Sequence, residues 1–118
     1  MKTVLVIDDN TATCNLVEQV LKPLGVHVIR AGNGAAAMEM TRCSKPDVIV
    51  MNTRLPGMNG LEVAEAIKSD DSLKHIPIIV LTATIMSREK VTRIEAFDGY
   101  IGKPFNPAEL RECVSRFL

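Results

Sequence analysis

Three short segments of the chain are apolar without a break and rich in β-branched residues. They cover residues 4–7, 48–51 and 78–81. A strand with one face in water alternates apolar and polar residues, whereas an unbroken apolar run is typical of a strand covered on both faces of a parallel sheet. Two weaker segments, 26–30 and 99–102, bring the number of predicted strands to five.

Between the predicted strands, apolar residues recur every three or four positions, which is the spacing of a helix that packs on one side. Four such stripes are present, and a less regular helix is predicted over 86–96. The stripes consist of Leu16, Val17, Val20, Leu21 and Leu24; of Ala36, Met40 and Cys43; of Leu61, Ala64 and Ile67; and of Leu110, Cys113, Val114 and Phe117.

Capping residues precede several of these helices. Asn106 and Pro107 open the last one, and Asn10, Asn59 and Ser87 are the predicted caps of three others. Strands that alternate with helices predict a doubly wound α/β domain with helices on both faces of a parallel sheet. Because no linker, repeat or low-complexity stretch interrupts the pattern, residues 1–118 are expected to form a single domain without an output domain.

Composition and charge exclude several classes of partner. Of the 118 residues, 47% are apolar, and Lys plus Arg and Asp plus Glu both number 14. A chain with no net charge has no general attraction for nucleic acid or anionic membranes, and no apolar run reaches the roughly 20 residues that span a bilayer. The three cysteines lack metal-ligand spacing and are expected to be reduced thiols on helices. With no signal peptide at the start, a cytoplasmic location is expected.

Five polar residues stand at the carboxyl ends of the predicted strands. Asp8 and Asp9 follow the first, Asn52 the third and Thr82 the fourth, and Lys103 lies just beyond the fifth. In open parallel sheets, ligands bind outside these strand ends. Singly, each residue has an ordinary explanation as a helix-start acid, a strand threonine or a solvated lysine. Together they predict a site.

The predicted site has the chemistry of phosphoryl transfer but no nucleophile. Two adjacent carboxylates suit Mg²⁺, which binds through one or two carboxylates, water and phosphate oxygens. A lysine and a threonine hydroxyl are suited to phosphoryl oxygens. An aspartate between them would form an acyl phosphate, but the residue in that place is Asn52.

Four segments resemble, in order, the signatures of response-regulator receiver domains of two-component signalling, including the chemotaxis regulators. They are Asp8-Asp9, KPDVIVMNTRLPGMNG (45–60), PIIVLTA (77–83) and YIGKPF (100–105). The resemblance covers essentially the whole chain. It implies a flavodoxin-like (βα)₅ fold with strand order 2-1-3-4-5.

The resemblance also implies residue roles. Asp8, Asp9, Asn52 and the backbone carbonyl of Arg54 match the Mg²⁺ site of the family. The remaining matches are Thr82 as the switch hydroxyl, Lys103 as the lysine that pairs with the phosphoryl group, Tyr100 as the switch aromatic, and Arg54 and Thr84 as positions that tune phosphoryl lifetime.

Partners follow from the same resemblance. A sensor histidine kinase or a histidine phosphotransfer protein is expected to deliver the phosphoryl group. A downstream protein is expected to bind the face formed by the fourth helix (86–96), the fifth strand and the last helix. A receiver takes part in its own Mg²⁺-dependent phosphorylation and is not an enzyme in the usual sense.

The sequence departs from the family pattern at two places. A carboxamide is a poor nucleophile, so Asn52 predicts that ordinary phosphorylation is lost. Two explanations stay open: an engineered substitution, or an atypical receiver that acts as a protein-interaction module without phosphate. The second departure is at 95–98, where the connection into the fifth strand is one residue shorter than in the family.

Two further patterns in the sequence are weaker indications of function. The segment Gly32-Asn33-Gly34 fits a dinucleotide-binding pattern, but it follows the second strand, and no ribose-binding acid lies about 20 residues further on. A turn explains it better, so an enzyme of flavodoxin-like architecture has little support. His27 and His75 have no partner at metal-ligand spacing and are expected to be structural.

Overall fold

A parallel sheet of five strands forms the centre of the molecule. The computed structural model describes residues 1–52, 60–82, 97–102 and 106–118, with only the backbone of Thr82. The strand order is β2-β1-β3-β4-β5, and each neighbouring pair is parallel. Both the fold class and the order 2-1-3-4-5 are therefore confirmed.

All five predicted strands are present, with bounds that differ from the prediction by at most one residue at either end. They are β1 (Thr3–Ile7), β2 (His27–Ala31), β3 (Val48–Asn52), β4 (Ile78–Thr82) and β5 (Gly99–Gly102). Asn52 and Thr82 are thus the last residues of their strands, where the sequence placed them just after the strand ends.

Successive strand residues point to opposite faces of the sheet, which creates two separate cores. In β1, Val4 and Val6 belong to the core beneath α1 (Thr11–Leu21) and the C-terminal helix α4 (Pro107–Phe117). Leu5 and Ile7 belong to the opposite core, beneath α2 (Gly34–Ser44) and α3 (Gly60–Lys68). This arrangement explains why the strands are apolar without alternation.

The predicted apolar stripe of α1 was wrong at one position. Leu16 is 47% exposed, whereas Cys14, which was not in the stripe, is buried. Successive helix residues turn by about 100°, so a buried face that includes Cys14 at one edge leaves Leu16 beyond the other edge. The helix continues into a single 3₁₀ turn and ends at Gly25, whose φ of 68° is easily adopted by glycine.

The predicted stripe of α2 was also wrong. Ala36 and Met40 are only partly buried and Cys43 is exposed, while the buried residues are Gly34, Ala37, Met38 and Thr41. Three consecutive alanines give the helix little contrast between its faces, so the sequence did not fix its rotation. The Thr41 hydroxyl is satisfied inside the core because it donates to the Ala37 carbonyl at 2.6 Å.

The remaining two stripes agree better with the structure. Ala64 and Ile67 of α3 are buried, with Val63 in addition and Leu61 only partly covered. In α4, Leu110, Cys113 and Val114 are buried and Phe117 packs against the same core.

Two predicted caps are confirmed and a third cap was missed. The Asn10 side chain accepts from the Thr13 amide at 3.1 Å, and the Asn106 side chain accepts from the Ala108 amide at 2.8 Å. Asn33 caps α2 in the same way, because its side chain accepts from the Ala36 amide at 2.8 Å, so the segment Gly32-Asn33-Gly34 leads directly into this helix. The predicted caps Asn59 and Ser87 and the predicted helix 86–96 lie outside the described residues.

The cysteines lie on helices and are free, with Cys14 and Cys113 buried and Cys43 exposed. Over the part of the chain that the structure describes, no helix has the length and apolar character needed to cross a membrane.

Candidate functional site

The strand register brings Asp8 next to Asn52 at the carboxyl edge of the sheet. Ile7 of β1 pairs with Met51 of β3, so Asp8 and Asn52 are the next residues along two neighbouring strands. Parallel strands lie about 4.8 Å apart. An acid and the predicted phosphoacceptor position are therefore held side by side by the backbone itself.

The same register extends toward the other predicted site residues. Asn52 pairs with Leu81, so Thr82 ends β4 one residue beyond that pair. Thr82 pairs with Gly102, the residue immediately before Lys103. The backbone thus brings Asp8, Asn52 and Thr82 to one edge, and Lys103 follows Gly102 directly in the sequence.

The described structure includes only part of the predicted site. Lys103, Arg54, Thr84 and the side chain of Thr82 are outside the described structure. Their roles stay predictions, as does the shortened connection at residues 95–98.

Asp8 and Asp9 differ sharply in their surroundings. The Asp8 residue is only 3% exposed, and its Oδ1 accepts from the Asn10 amide at 2.9 Å. Its own amide donates to the Ala31 carbonyl of β2 at 3.0 Å, so the main chain of Asp8 still belongs to the sheet. Asp9 is exposed. One carboxylate is therefore fixed in the floor of the site and the other stands at its rim.

Cys14 is a residue of the site's surroundings that the sequence did not single out. Its Sγ lies 3.5 Å from the Asp8 carbonyl and donates to it. Burial raises the pKa of the Cys14 thiol above its ordinary value of 9.0, and the nearby charge of Asp8 raises it further. The thiol therefore stays protonated beneath the acidic pair. The spacing of Cys14 with Val17 and Leu21 was the signal that would have placed it in the core.

The donor set at this edge fits Mg²⁺. Two carboxylates and the Asn52 side-chain oxygen are hard oxygen ligands, the kind that Mg²⁺ prefers. Within the described residues no cluster of three or more His, Cys, Asp or Glu side chains has metal-binding geometry. Asp8, Asp9 and Asn52 are the described residues that would hold the ion.

Tyr100 lies on the face of β5 that points toward α2 and α3. It pairs with Val80 in the β4–β5 ladder, is partly buried, and packs against the core that contains Val80 and Ile78. Phe97 packs against the same core. The ring is thus held at the margin of a core rather than standing free on the surface.

An open parallel α/β sheet with acids at the carboxyl end of its first strand defines a flavodoxin-like protein with a ligand site at that edge. Comparison with known proteins identifies the family. Residues 4–115 match the family model described as the response regulator receiver domain. The chain belongs to this family, the receiver domains of two-component signalling.

Relatives match along nearly the full chain. The polar-differentiation response regulator DivK of Brucella anthropi is 35% identical over 118 residues, which cover 99% of this chain and 96% of the relative. The response regulator TrrA of Thermotoga maritima, solved in complex with Mg²⁺ and BeF, has a TM-score of 0.89 at 34% identity, with 100% of both chains covered.

A further neighbour contains a metal ion. The receiver domain of a sensor histidine kinase from Pseudomonas aeruginosa, solved with magnesium coordinated in its active-site cleft, has a TM-score of 0.88 at 28% identity, covering 98% of this chain and 96% of that one. Receiver domains bind Mg²⁺ at this site and interact with histidine kinases and downstream targets.

Proposed function

We propose that this chain is a receiver of the kind phosphorylated on an aspartate at position 52, and that in the form with Asn52 it does not form an acyl phosphate and stays in its unphosphorylated state. The observation that carries the proposal is the place of Asn52, at the end of β3 and next in register to the buried Asp8. A carboxylate there would attack phosphorus, whereas the nitrogen lone pair of an amide is delocalised and its oxygen is weakly nucleophilic.

Mg²⁺ is the proposed cofactor, held by Asp8, Asp9, the oxygen of Asn52 and the backbone carbonyl of Arg54. When bound, the ion neutralises charge on a phosphoryl group. The chain itself positions the acid and favours an anion at the site. The Asp8 carboxylate is held by its bond from the Asn10 amide, and α1 begins just after Asn10, where the helix dipole favours anions. In a form with a carboxylate at position 52, Lys103 and Thr82 are proposed to hold phosphoryl oxygens, and Arg54 and Thr84 are proposed to tune how long the phosphoryl group persists.

The proposed upstream partner is a sensor histidine kinase or a histidine phosphotransfer protein. Leu16 supports a docking role for α1, because it is a large apolar side chain 47% exposed on the helix that begins at the site. The proposed downstream surface consists of segment 86–96, β5 and α4, with Tyr100 as the residue that changes its rotamer. On this proposal the chain regulates other proteins and catalyses no turnover of an external substrate.

Phosphorylation tests the proposal directly. The protein with Asn52 and the variant Asn52→Asp are incubated with Mg²⁺ and acetyl phosphate, and both the total phosphate on the intact protein and its hydroxylamine-sensitive fraction are measured. We expect incorporation only in Asn52→Asp. The double variant Asn52→Asp with Asp8→Asn is the control, because it has the nucleophile but lacks the buried metal carboxylate. Phosphate on the Asn52 protein, mapped to Asp8 or Thr53, would overturn the proposal.

A second candidate function is a phosphate-independent interaction module, which Asn52 itself favours. The two candidate functions predict different effects of Asn52→Asp on the affinity for a target protein. If the module acts without phosphate, a target protein binds the Asn52 protein and the unphosphorylated Asn52→Asp variant equally well, and acetyl phosphate changes neither affinity. An ordinary receiver disabled by substitution binds its target more tightly only after Asn52→Asp and phosphorylation.

A further inference from the structure

Lys68, the last residue of α3, joins three parts of the chain at the edge of the sheet opposite the site. Its Nζ donates to the carbonyl oxygens of Lys74 at 3.3 Å and Ile76 at 2.9 Å and to Asp98 Oδ2 at 2.9 Å. An ammonium group has three N–H donors. Each N–H donor therefore has its own oxygen acceptor. The bonds to the carbonyls of Lys74 and Ile76 link the end of α3 to the connection that leads into β4.

Asp98 continues this network into the sheet. Its Oδ2 also accepts from the Ile78 amide at 2.8 Å, and its own amide donates to the Ile78 carbonyl at 2.8 Å. Ile78 is the first residue of β4, and β5 begins immediately after Asp98. One carboxylate thus links the starts of both strands and, through Lys68, the end of α3.

The environment makes this pair stronger than an ordinary surface ion pair. The side chains of Lys68 and Asp98 are 21% and 33% exposed. Hydrogen bonds between ionised groups are roughly twice as strong as neutral ones, and partial burial reduces screening by salt. By contrast, the side chains of Lys74 and Asp71, which form another ion pair, are 60% and 97% exposed, so that pair contributes little to the stability of the fold.

β5 needs such an anchor because it is short and lies at the edge of the sheet. It has four residues and pairs only with β4. The ladder sets Tyr100 opposite Val80 and Gly102 opposite Thr82. A slip of one residue would turn Tyr100 to the other face of the sheet and move the position after Gly102 by one strand step.

We propose that Lys68 and Asp98 are a positioning pair that sets the register of β5 and so places Tyr100 on its core face and Gly102, the residue before Lys103 in the sequence, opposite Thr82. The pair acts from the amino end of the strand, while the residues it positions act near the carboxyl end. The register itself does not depend on phosphate. The consequence for Tyr100 and Lys103 as switch and site residues rests on the function proposed above.

Amide hydrogen exchange tests the register claim on the protein as it is. The Asp98 amide donates to β4. Residues alternate in direction along a strand, so the amides of Tyr100 and Gly102, two and four residues further on, also point toward β4. In Lys68→Gln and in Asp98→Asn we expect their exchange to accelerate about tenfold, which corresponds to about 1.4 kcal/mol. The double variant is expected to be no faster than either single one, because both remove the same contact.

Two further variants separate positioning from general stability. Asp47→Asn is the matched control, because Asp47 makes the same two bonds to Thr3 between β3 and β1 and no ion pair is present there in the described structure. It is expected to leave the Tyr100 and Gly102 amides unchanged even where it lowers the stability of the whole domain. Lys68→Arg keeps the charge and the donors, and it is expected to restore most of the protection.

The exchange rates of the β5 amides in these variants decide whether the pair positions β5. If Lys68→Gln and Asp98→Asn change the amides of β5 no more than Asp47→Asn does, or if Lys68→Arg rescues nothing, the pair does not position β5. Because exchange is measured without a phosphoryl group, failure of Asn52→Asp to be phosphorylated would overturn the proposed function and leave this result standing.

Discussion

Asp47 and Thr3 exchange two hydrogen bonds at the amino ends of β3 and β1. The Asp47 amide donates to the Thr3 carbonyl at 2.8 Å, and the Thr3 amide donates to Asp47 Oδ2 at 2.8 Å. Asp98 and Ile78 repeat this arrangement between β5 and β4. In both pairs an aspartate directly before a strand satisfies the first amide of the neighbouring strand, which the ladder alone would leave without an acceptor.

The first prediction concerns this pair of bonds. Asp47→Ala removes the acceptor of the Thr3 amide and is expected to lower the free energy of unfolding by about 1.5 kcal/mol, because the lost bond has a charged acceptor. Asp47→Asn keeps a side-chain oxygen and is expected to lose less. Urea denaturation of both variants measures the difference. Equal stability of Asp47→Ala and the parent protein would contradict the prediction.

The second prediction compares two leucines on one helix. Leu21 is 0% exposed and Leu16 is 47% exposed. Leu21→Ala is expected to lower the free energy of unfolding by about 2–5 kcal/mol, since it leaves a cavity, and Leu16→Ala to change it by no more than about 0.5 kcal/mol. Urea denaturation measures both values.

The same Leu16→Ala variant tests the proposed docking role of α1. In the Asn52→Asp background it is expected to slow phosphotransfer from a histidine partner while leaving phosphorylation by acetyl phosphate unchanged, because only the first reaction needs a docked protein. Equal slowing of both reactions would indicate damage to the site and count against docking through Leu16.

The third prediction concerns the metal. Introducing a carboxylate in Asn52→Asp adds negative charge beside Asp8 and Asp9, so the affinity for Mg²⁺ is expected to rise severalfold. Asp8→Asn, which neutralises the buried carboxylate, is expected to lower it in both backgrounds. Titration followed by amide chemical shifts measures the dissociation constants. Equal or tighter binding by the protein with Asn52 would contradict the argument.

The fourth prediction concerns alkaline pH. Burial raises the pKa of the thiols of Cys14 and Cys113 above 9.0, so the folded state keeps protons that the unfolded state releases. The resulting stability is fully present below about pH 9 and is lost as the pH rises through the pKa of the folded state. In a Cys43→Ser background, Cys14→Ala is expected to flatten the decline of stability above pH 9. An unchanged slope would refute the assignment.

The fifth prediction concerns the switch. A ligand shifts a conformational equilibrium only if it binds one state better than the other. Beryllofluoride mimics a phosphoryl group and needs the carboxylate that Asn52 lacks. It is therefore expected to leave the amide spectrum of this protein almost unchanged and, in Asn52→Asp, to move resonances between Thr82 and Lys103. Equal shifts in both proteins would show that the switch does not depend on position 52.

The sequence by itself determined the sheet and its active edge. Unbroken apolar runs predicted strands covered on both faces, and each of the five strands lies within one residue of its prediction. Because parallel strands end at one edge, the positions of Asp8 and Asn52 followed from the strand pattern alone. Asn10 and Asn106 were predictable as caps because capping depends on a contact within one turn of the chain.

Only the tertiary structure decided what depends on distant contacts. The rotation of α2 was not determined by an alanine-rich segment, and the exposure of Leu16 was decided by which side of α1 the sheet covers. The bonds of Lys68 and Asp98 join residues 30 positions apart, and no local pattern signals them. Helix periodicity and capping are local, whereas the partners of a charged side chain are set by how the chain folds back on itself.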